Sequence, residues 1–124
     1  MNKGVIFTEE SVDEWCDRSG ETNPIYCDSE AASKATFGRR TVPPMMLMDY
    51  ISGMVPALFD KDTDVIISGI TAARFRDPVL LDETVTFSVE FVERKKFFTV
   101  VDFEASVHTR GSLVMTGSLS VVEN

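Results

Sequence analysis

The 124-residue chain is poor in the residues that build metal centres and nucleic-acid interfaces: one His, one Trp, two Cys, and 12 Lys and Arg against 20 Asp and Glu. The only histidine, His108, lies far in sequence from Cys16 and Cys27, so no Cys/His group has zinc spacing and no metal is expected. A formal net charge of -8 repels a phosphate backbone, and no basic stripe with interleaved aromatics offsets it, which excludes nucleic acid as an expected partner. No apolar run approaches the length of a membrane span, so no membrane association is expected. The first residues, Met1-Asn2-Lys3-Gly4-Val5, lack the apolar core of a signal peptide, and a cytoplasmic location is the expectation. With nothing else suggesting export, Cys16 and Cys27 are expected to be reduced. What is present is ordinary for a globular protein: 44% hydrophobic and 26% charged residues argue against disorder. The length suits a single domain over residues 1–124.

The two halves of the chain carry different periodicities. Val5-Ile6-Phe7 is a short apolar run. Thr8 and Ser11 follow as candidate N-caps, with Ser11-Val12-Asp13-Glu14 in the pattern of a capping box. Val12, Trp15 and Cys16 then share one helical face, and Ser19-Gly20 ends that helix. Gly20-Glu21-Thr22-Asn23-Pro24 reads as a turn-rich loop, and a second short helix is expected from Asp28 or Ser29 to about Phe37. Met45 to Val55 is apolar nearly all round, predicting a helix opened by Pro44, closed near Pro56 and buried on most sides.

From Val65 onward the period is two. Val85, Phe87, Val89 and Phe91 alternate with polar residues, as do Phe97, Thr99, Val101, Phe103, Ala105 and Val107. Leu113, Met115, Gly117, Leu119 and Val121 form a last apolar row. The polar connections at 93–96 and 109–112 read as hairpin turns, predicting four strands in an antiparallel meander with one covered face. One long apolar helix followed by a curled antiparallel sheet that wraps it is an α+β layout, the hotdog arrangement. By analogy with that fold, the sheet edge and helix flank left open lead us to expect a homodimer.

The loop Ser19-Gly20-Glu21-Thr22-Asn23-Pro24-Ile25-Tyr26-Cys27-Asp28 resembles the S-G-D-x-N-P-x-H-x-D signature of the MaoC-like (R)-specific enoyl-CoA hydratase/dehydratase family. The likeness extends along the chain. Thr8 and Trp15 fall at the family's leading helix, Ala31 and Phe37-Gly38 at its second. Thr71 to Val79 with Asp82-Glu83-Thr84-Val85 is similar to its V-R-F-x-x-P-V…G-D-T strand and turn. The resemblance implies reversible addition of water across the double bond of an enoyl thioester carried by coenzyme A or acyl carrier protein, without a cofactor. In the family an aspartate and a histidine move the proton, while a backbone N–H at the start of the central helix stabilises the enolate oxygen.

This chain departs from the pattern at each chemical position. Glu21 stands for the aspartate, one methylene longer, and displacement by about an ångström can cost about a hundredfold in rate. Tyr26 stands for the histidine, and a phenol with a pKa of about 10 donates a hydrogen bond near neutrality rather than accepting a proton. Asn23 and Pro24 are unchanged. At the central helix V-H-G-M becomes Val42-Pro43-Pro44-Met45, and Pro44 has no N–H to offer, which leaves Met45 or Met46 N–H as the substitute. A Pro-Pro pair here is also similar to the hydratase-like subunits of two-component dehydratases.

Glu21, Tyr26 and Asn23 are therefore the expected catalytic residues, although a capped polar turn alone would also specify Gly-x-x-Asn-Pro. Pro44, Met45, Met46 and Arg74 are the expected substrate-binding residues. Arg74 and Arg76, or Arg39 and Arg40, either receive a carrier's phosphates or are solvated surface charge. Met45, Met46, Met48 and Met54 either pack the core or dimer, or line an acyl tunnel. Asp28 is expected as an N-cap and His108 on the surface. The leading expectation is a hydratase/dehydratase-type lyase acting on an acyl thioester or related small carbonyl compound. The alternatives are a non-catalytic acyl-binding subunit paired with a related hotdog chain, and a secondary-metabolism tailoring enzyme performing another elimination or isomerisation. The Gly-Glu-Thr-Asn-Pro loop points away from hotdog thioesterases.

Overall fold

The computed structural model describes residues 1–35 and 37–124. The elements run β1 (Asn2–Ile6), α1 (Glu9–Ser19), α2 (Pro24–Cys27), α3 (Ser29–Ser33), α4 (Pro44–Met54), β2 (Val65–Phe75), β3 (Thr84–Arg94), β4 (Thr99–Val107) and β5 (Ser112–Glu123). Local chemistry fixes most of the helix ends. Thr8 opens α1 through a reciprocal capping box with Ser11, so Ser11 is the third helical residue rather than the first of the box. Gly20 closes it at φ 75°, left-handed backbone that glycine adopts without a Cβ penalty. Asn23 caps α2, with its Oδ1 accepting from Ile25 N–H and Pro24 in the first turn. Asp28 caps α3 by accepting from the Glu30 and Ala31 N–H groups, as expected. That helix stops at Ser33, short of the expected Phe37, and residue 36 lies outside the described residues.

All five strands form one antiparallel sheet in the order β1-β3-β4-β5-β2. The expected meander holds for β3, β4 and β5, but β2 crosses to the far edge and pairs with β5 instead of β3. The crossing is anchored between strands, where Val42 N–H donates to Val79 O at 2.7 Å and Arg110 binds both Pro78 O and the Glu83 carboxylate. The Arg110 guanidinium holds the Glu83 carboxyl below its ordinary range. Asp82, in the turn that follows, has a φ of 69°, and it occupies the position of a glycine in the G-D-T pattern. Left-handed backbone costs an ordinary L-residue about 1–2 kcal/mol, offset in part by the entropy that glycine loses on folding. Asp82→Gly is therefore expected to raise the stability to urea unfolding by about 0.5 kcal/mol, and Asp82→Ala to lower it.

One face of the sheet packs on α4. Val85, Phe87 and Val89 of β3, Val101, Phe103, Ala105 and Val107 of β4, and Met115, Leu119 and Val121 of β5 are buried there with Leu47, Ile51 and Met54 of the helix. Phe7, Tyr50 and Phe87 form an aromatic cluster, Tyr50 stacked on Phe87 at 5.4 Å and Phe7 edge-on to both. Gly117 leaves room for the Phe103 ring, since a Cβ there would sit 2.3 Å from both the ring and Ala72 O. The alternation fails in three places. An extra residue at Val114 buries that side chain and turns Leu113 outward. A second irregularity, at Val92, accompanies the exposure of Phe91. Phe97 is 76% exposed because β4 begins only at Thr99. The central helix is mostly enclosed, yet Met45, Asp49, Ser52 and Gly53 make one open stripe at helical spacing.

Candidate active site

A short polar loop and α2 carry the signature residues; Ile25 and Tyr26 of α2 reach the cleft at the entrance of α4, whereas Glu21 and Asn23 stay in the loop and are not part of its lining. Glu21 follows the helix-ending Gly20, and its N–H donates to Cys16 O at 3.1 Å. Its Oε1 accepts from Asn23 N–H at 3.0 Å, while Oε2 has no hydrogen-bond partner among the described residues. Asn23 is occupied as a cap, so its observed work is to fold the loop. Tyr26 lies in α2, half-buried. Burial first, and the nearby Glu21 carboxylate second, hold its phenol above the ordinary value, so it is a protonated donor at neutral pH.

Tyr26 and Pro44 line the same open cleft of about 290 Å³. Ile25, Thr41 and Val42 form its inner wall, Phe37 and Phe75 its apolar rim, and Arg76, Asp77 and Pro78 the side contributed by the crossing after β2. The volume is near the lower end of small-molecule sites, and an apolar lining with few polar groups is their usual composition. At the helix entrance Pro43 is the N-cap residue without a side-chain hydrogen bond. Met46 N–H turns back to Pro43 O at 3.0 Å, and Pro44 has no N–H. Met45 N–H is thus the first outward donor of the helix, where orphan N–H groups and the helix dipole favour a negatively charged oxygen.

The other expected residues are distributed differently. The Met45 side chain is 55% exposed on the open stripe of α4, and Met46 is buried in the core, where it also borders a groove with Trp15 and Asp49 on the α1 side. Arg74 is exposed opposite Thr116 on β2, and Arg76, two residues later, is the arginine at the cleft, with its Nε–H donating to Thr116 Oγ1 at 3.4 Å. Strand alternation put both arginines on one face, and only the end of β2 at Phe75 separates them. Arg40 is not a phosphate receptor. Its side chain is 2% exposed and turned inward, donating to Tyr26 O at 2.8 Å and Asp13 Oδ1 at 2.6 Å, with Glu9 Oε1 at 3.5 Å. Sequence reasoning gave no cleft role to Thr41, which carries no motif, or to Phe75 and Asp77, which lie within the strand-and-turn pattern of residues 71–79 without that pattern showing which of its side chains face the cleft. Among the described residues no group of three or more His, Cys, Asp or Glu could hold a metal, and no helix is long and apolar enough to cross a membrane.

The comparisons agree with this architecture. The MaoC-like domain family matches residues 2–112. No curated protein matches the chain by sequence. Among solved structures, the (R)-hydratase from A. caviae involved in PHA biosynthesis is 25% identical with a TM-score of 0.88, over 98% of this chain and 92% of that one. The R-hydratase PhaJ1 from Pseudomonas aeruginosa is 20% identical with a TM-score of 0.86, over 98% and 77%. The C-terminally truncated HadBC (3R-hydroxyacyl-ACP dehydratase) complex from Mycobacterium tuberculosis is 17% identical with a TM-score of 0.73, over 97% and 90%. A family match over most of the length, with the sheet wrapped on a central helix, makes this chain a member of the MaoC-like domain family with the hotdog fold.

Proposed function

We propose that the protein is a hydratase/dehydratase-type lyase acting on an enoyl or 3-hydroxyacyl thioester through a rebuilt version of the family's site. The observation that carries this reading is the meeting of Tyr26, from the signature loop, and the N-terminus of α4 at one cleft. In the hydration direction Glu21 takes a proton from water as its oxygen bonds to the β-carbon, and returns a proton to the α-carbon. Dehydration runs the same steps in reverse. Met45 N–H faces the thioester oxygen, where negative charge develops, and the Tyr26 phenol supplies a second hydrogen bond. Arg76 at the rim suits an anionic carrier arm. The test is turnover of short and medium enoyl and 3-hydroxyacyl thioesters by the purified protein. Tyr26→Phe is expected to slow it about tenfold, the worth of one transition-state hydrogen bond. No turnover of any of these substrates counts against the reading.

A second reading is favoured by the Pro43-Pro44 entrance and by the open edge of β2. Ile66, Ile70 and Phe75 are exposed along a strand with no neighbour on its outer side among the described residues. Long apolar edges invite pairing. A second chain along β2, either another copy or a related hotdog chain that supplies the chemistry, would cover this surface. The mass of the particle purified from its source separates the cases: a homodimer with turnover opposes the subunit reading, and a stable pair with a second hotdog chain supports it.

A further inference from the structure

Cys16 and Cys27 are both free thiols, with their sulfurs 3.0 Å apart, closer than ordinary van der Waals contact. Each also touches Glu21. The Cys16 carbonyl accepts from Glu21 N–H at 3.1 Å, and the Cys27 thiol donates to Glu21 O at 3.4 Å. Cys16 belongs to the last turn of α1, and Cys27 ends α2, next to Tyr26. The thiols are therefore the two posts between which the signature loop is strung. Cys16 is buried and Cys27 half-buried, so a reagent in solution meets Cys27 first.

We propose that Cys16 and Cys27 are a reversible disulfide site that braces the loop carrying Glu21 and Tyr26. With a low-molecular-weight disulfide as oxidant, the Cys27 thiolate attacks one sulfur, forming a mixed disulfide and releasing one thiolate. Cys16 then loses its proton to solvent and attacks the Cys27 sulfur, expelling the second. Two electrons pass from the protein thiols to the reagent, which leaves as two thiols. Burial, and next the neighbouring Cys27, push the Cys16 thiol up to about 12, so it is a protonated thiol at neutral pH. Contact works against that penalty, since groups held together react with effective molarities of up to about 10⁵–10⁸ M, and a buried thiol reacts with the sulfur placed beside it. Closing the bond to about 2.05 Å draws the two sulfurs together by about an ångström and removes the Cys27 S–H from Glu21 O.

The test oxidises the whole protein with glutathione disulfide and follows it by intact mass, thiol count and hydrogen exchange. The expected product has lost two hydrogens and both thiols within one chain, reverts with dithiothreitol, and shows slower amide exchange over residues 20–27. Cys16→Ala is expected to stop at a stable glutathione adduct on Cys27, and Cys27→Ser to stay unmodified. A persistent glutathione adduct on the unaltered protein, a disulfide between chains, or unchanged exchange in the loop would overturn the proposal. None of these readouts requires turnover, so they stand apart from the lyase reading. On that reading alone, the displaced Glu21 and Tyr26 make the oxidised form the slower enzyme by about tenfold or more, and equal turnover of the two forms rejects that regulatory consequence.

Discussion

Glu21→Gln is expected to lower turnover of an enoyl thioester by about 10²–10⁴-fold, the usual worth of a positioned acid/base group, while stability changes by no more than about 0.5 kcal/mol. The two effects separate because the side chain has two jobs. Oε1 accepts from Asn23 N–H, and the amide oxygen of Gln can keep that bond and with it the loop. What Gln cannot do is take up and return a proton. The variant also carries an internal check on geometry. The Glu21 charge is the second cause, after burial, of the raised Tyr26 phenol, so removing it should let the phenol titrate at lower pH. Ultraviolet absorbance of phenolate reads this directly, with Tyr50→Phe as background to leave Tyr26 the sole tyrosine. Turnover within tenfold of the unaltered protein would remove Glu21 from the chemistry, and an unmoved phenol titration would mean that the two side chains are farther apart than the structure places them.

The parts of the fold legible in the sequence are those governed by local chemistry. Gly20 and Asp28 act through their own backbone or side chain, and both ends were readable. Periodicity gave the inward faces of β3 and β4 because each strand has one covered side. It failed at Leu113, where one extra residue flips the register, since the step of two carries no mark of a bulge. It could not give the position of β2 either. Which edge a strand joins depends on contacts such as Val42 with Val79 and Arg110 with Glu83, between residues far apart in sequence.

The same distinction governs the site. The signature loop was readable because its residues are contiguous, and the Pro44 entrance because proline has an unambiguous backbone consequence. The opposite wall of the cleft was not, since Arg76 and Arg74 differ only in whether the strand has ended. In the sequence Arg40 reads as either a receptor for a carrier's phosphates or a solvated surface charge, because both readings start from an arginine exposed beside the loop. Its burial follows from three acceptors supplied by α1 and α2, which no local pattern announces.

Arg40→Met is accordingly expected to be the most damaging single change in the site's scaffold, at about 2–4 kcal/mol. The guanidinium joins Asp13 and Glu9 of α1 to the carbonyl of Tyr26 in α2. Breaking a fully buried ion pair costs about 3–5 kcal/mol, but here both carboxylates are more than half exposed and can be rehydrated, which discounts their share. The remainder comes from the Tyr26 carbonyl, an acceptor that methionine leaves without its donor and that costs about 1–3 kcal/mol if water does not reach it. For a domain of this size the melting temperature should fall by on the order of 10 °C. Arg40→Lys keeps the charge without the planar fork, so it can satisfy the carbonyl or Asp13 but not both, and an intermediate loss is expected. Thermal and urea unfolding measure the cost, and amide exchange over 24–27 locates it. A loss below about 0.5 kcal/mol, the range of ordinary surface substitutions, would show that α2 is held by its own cap and by Cys27 rather than by the arginine.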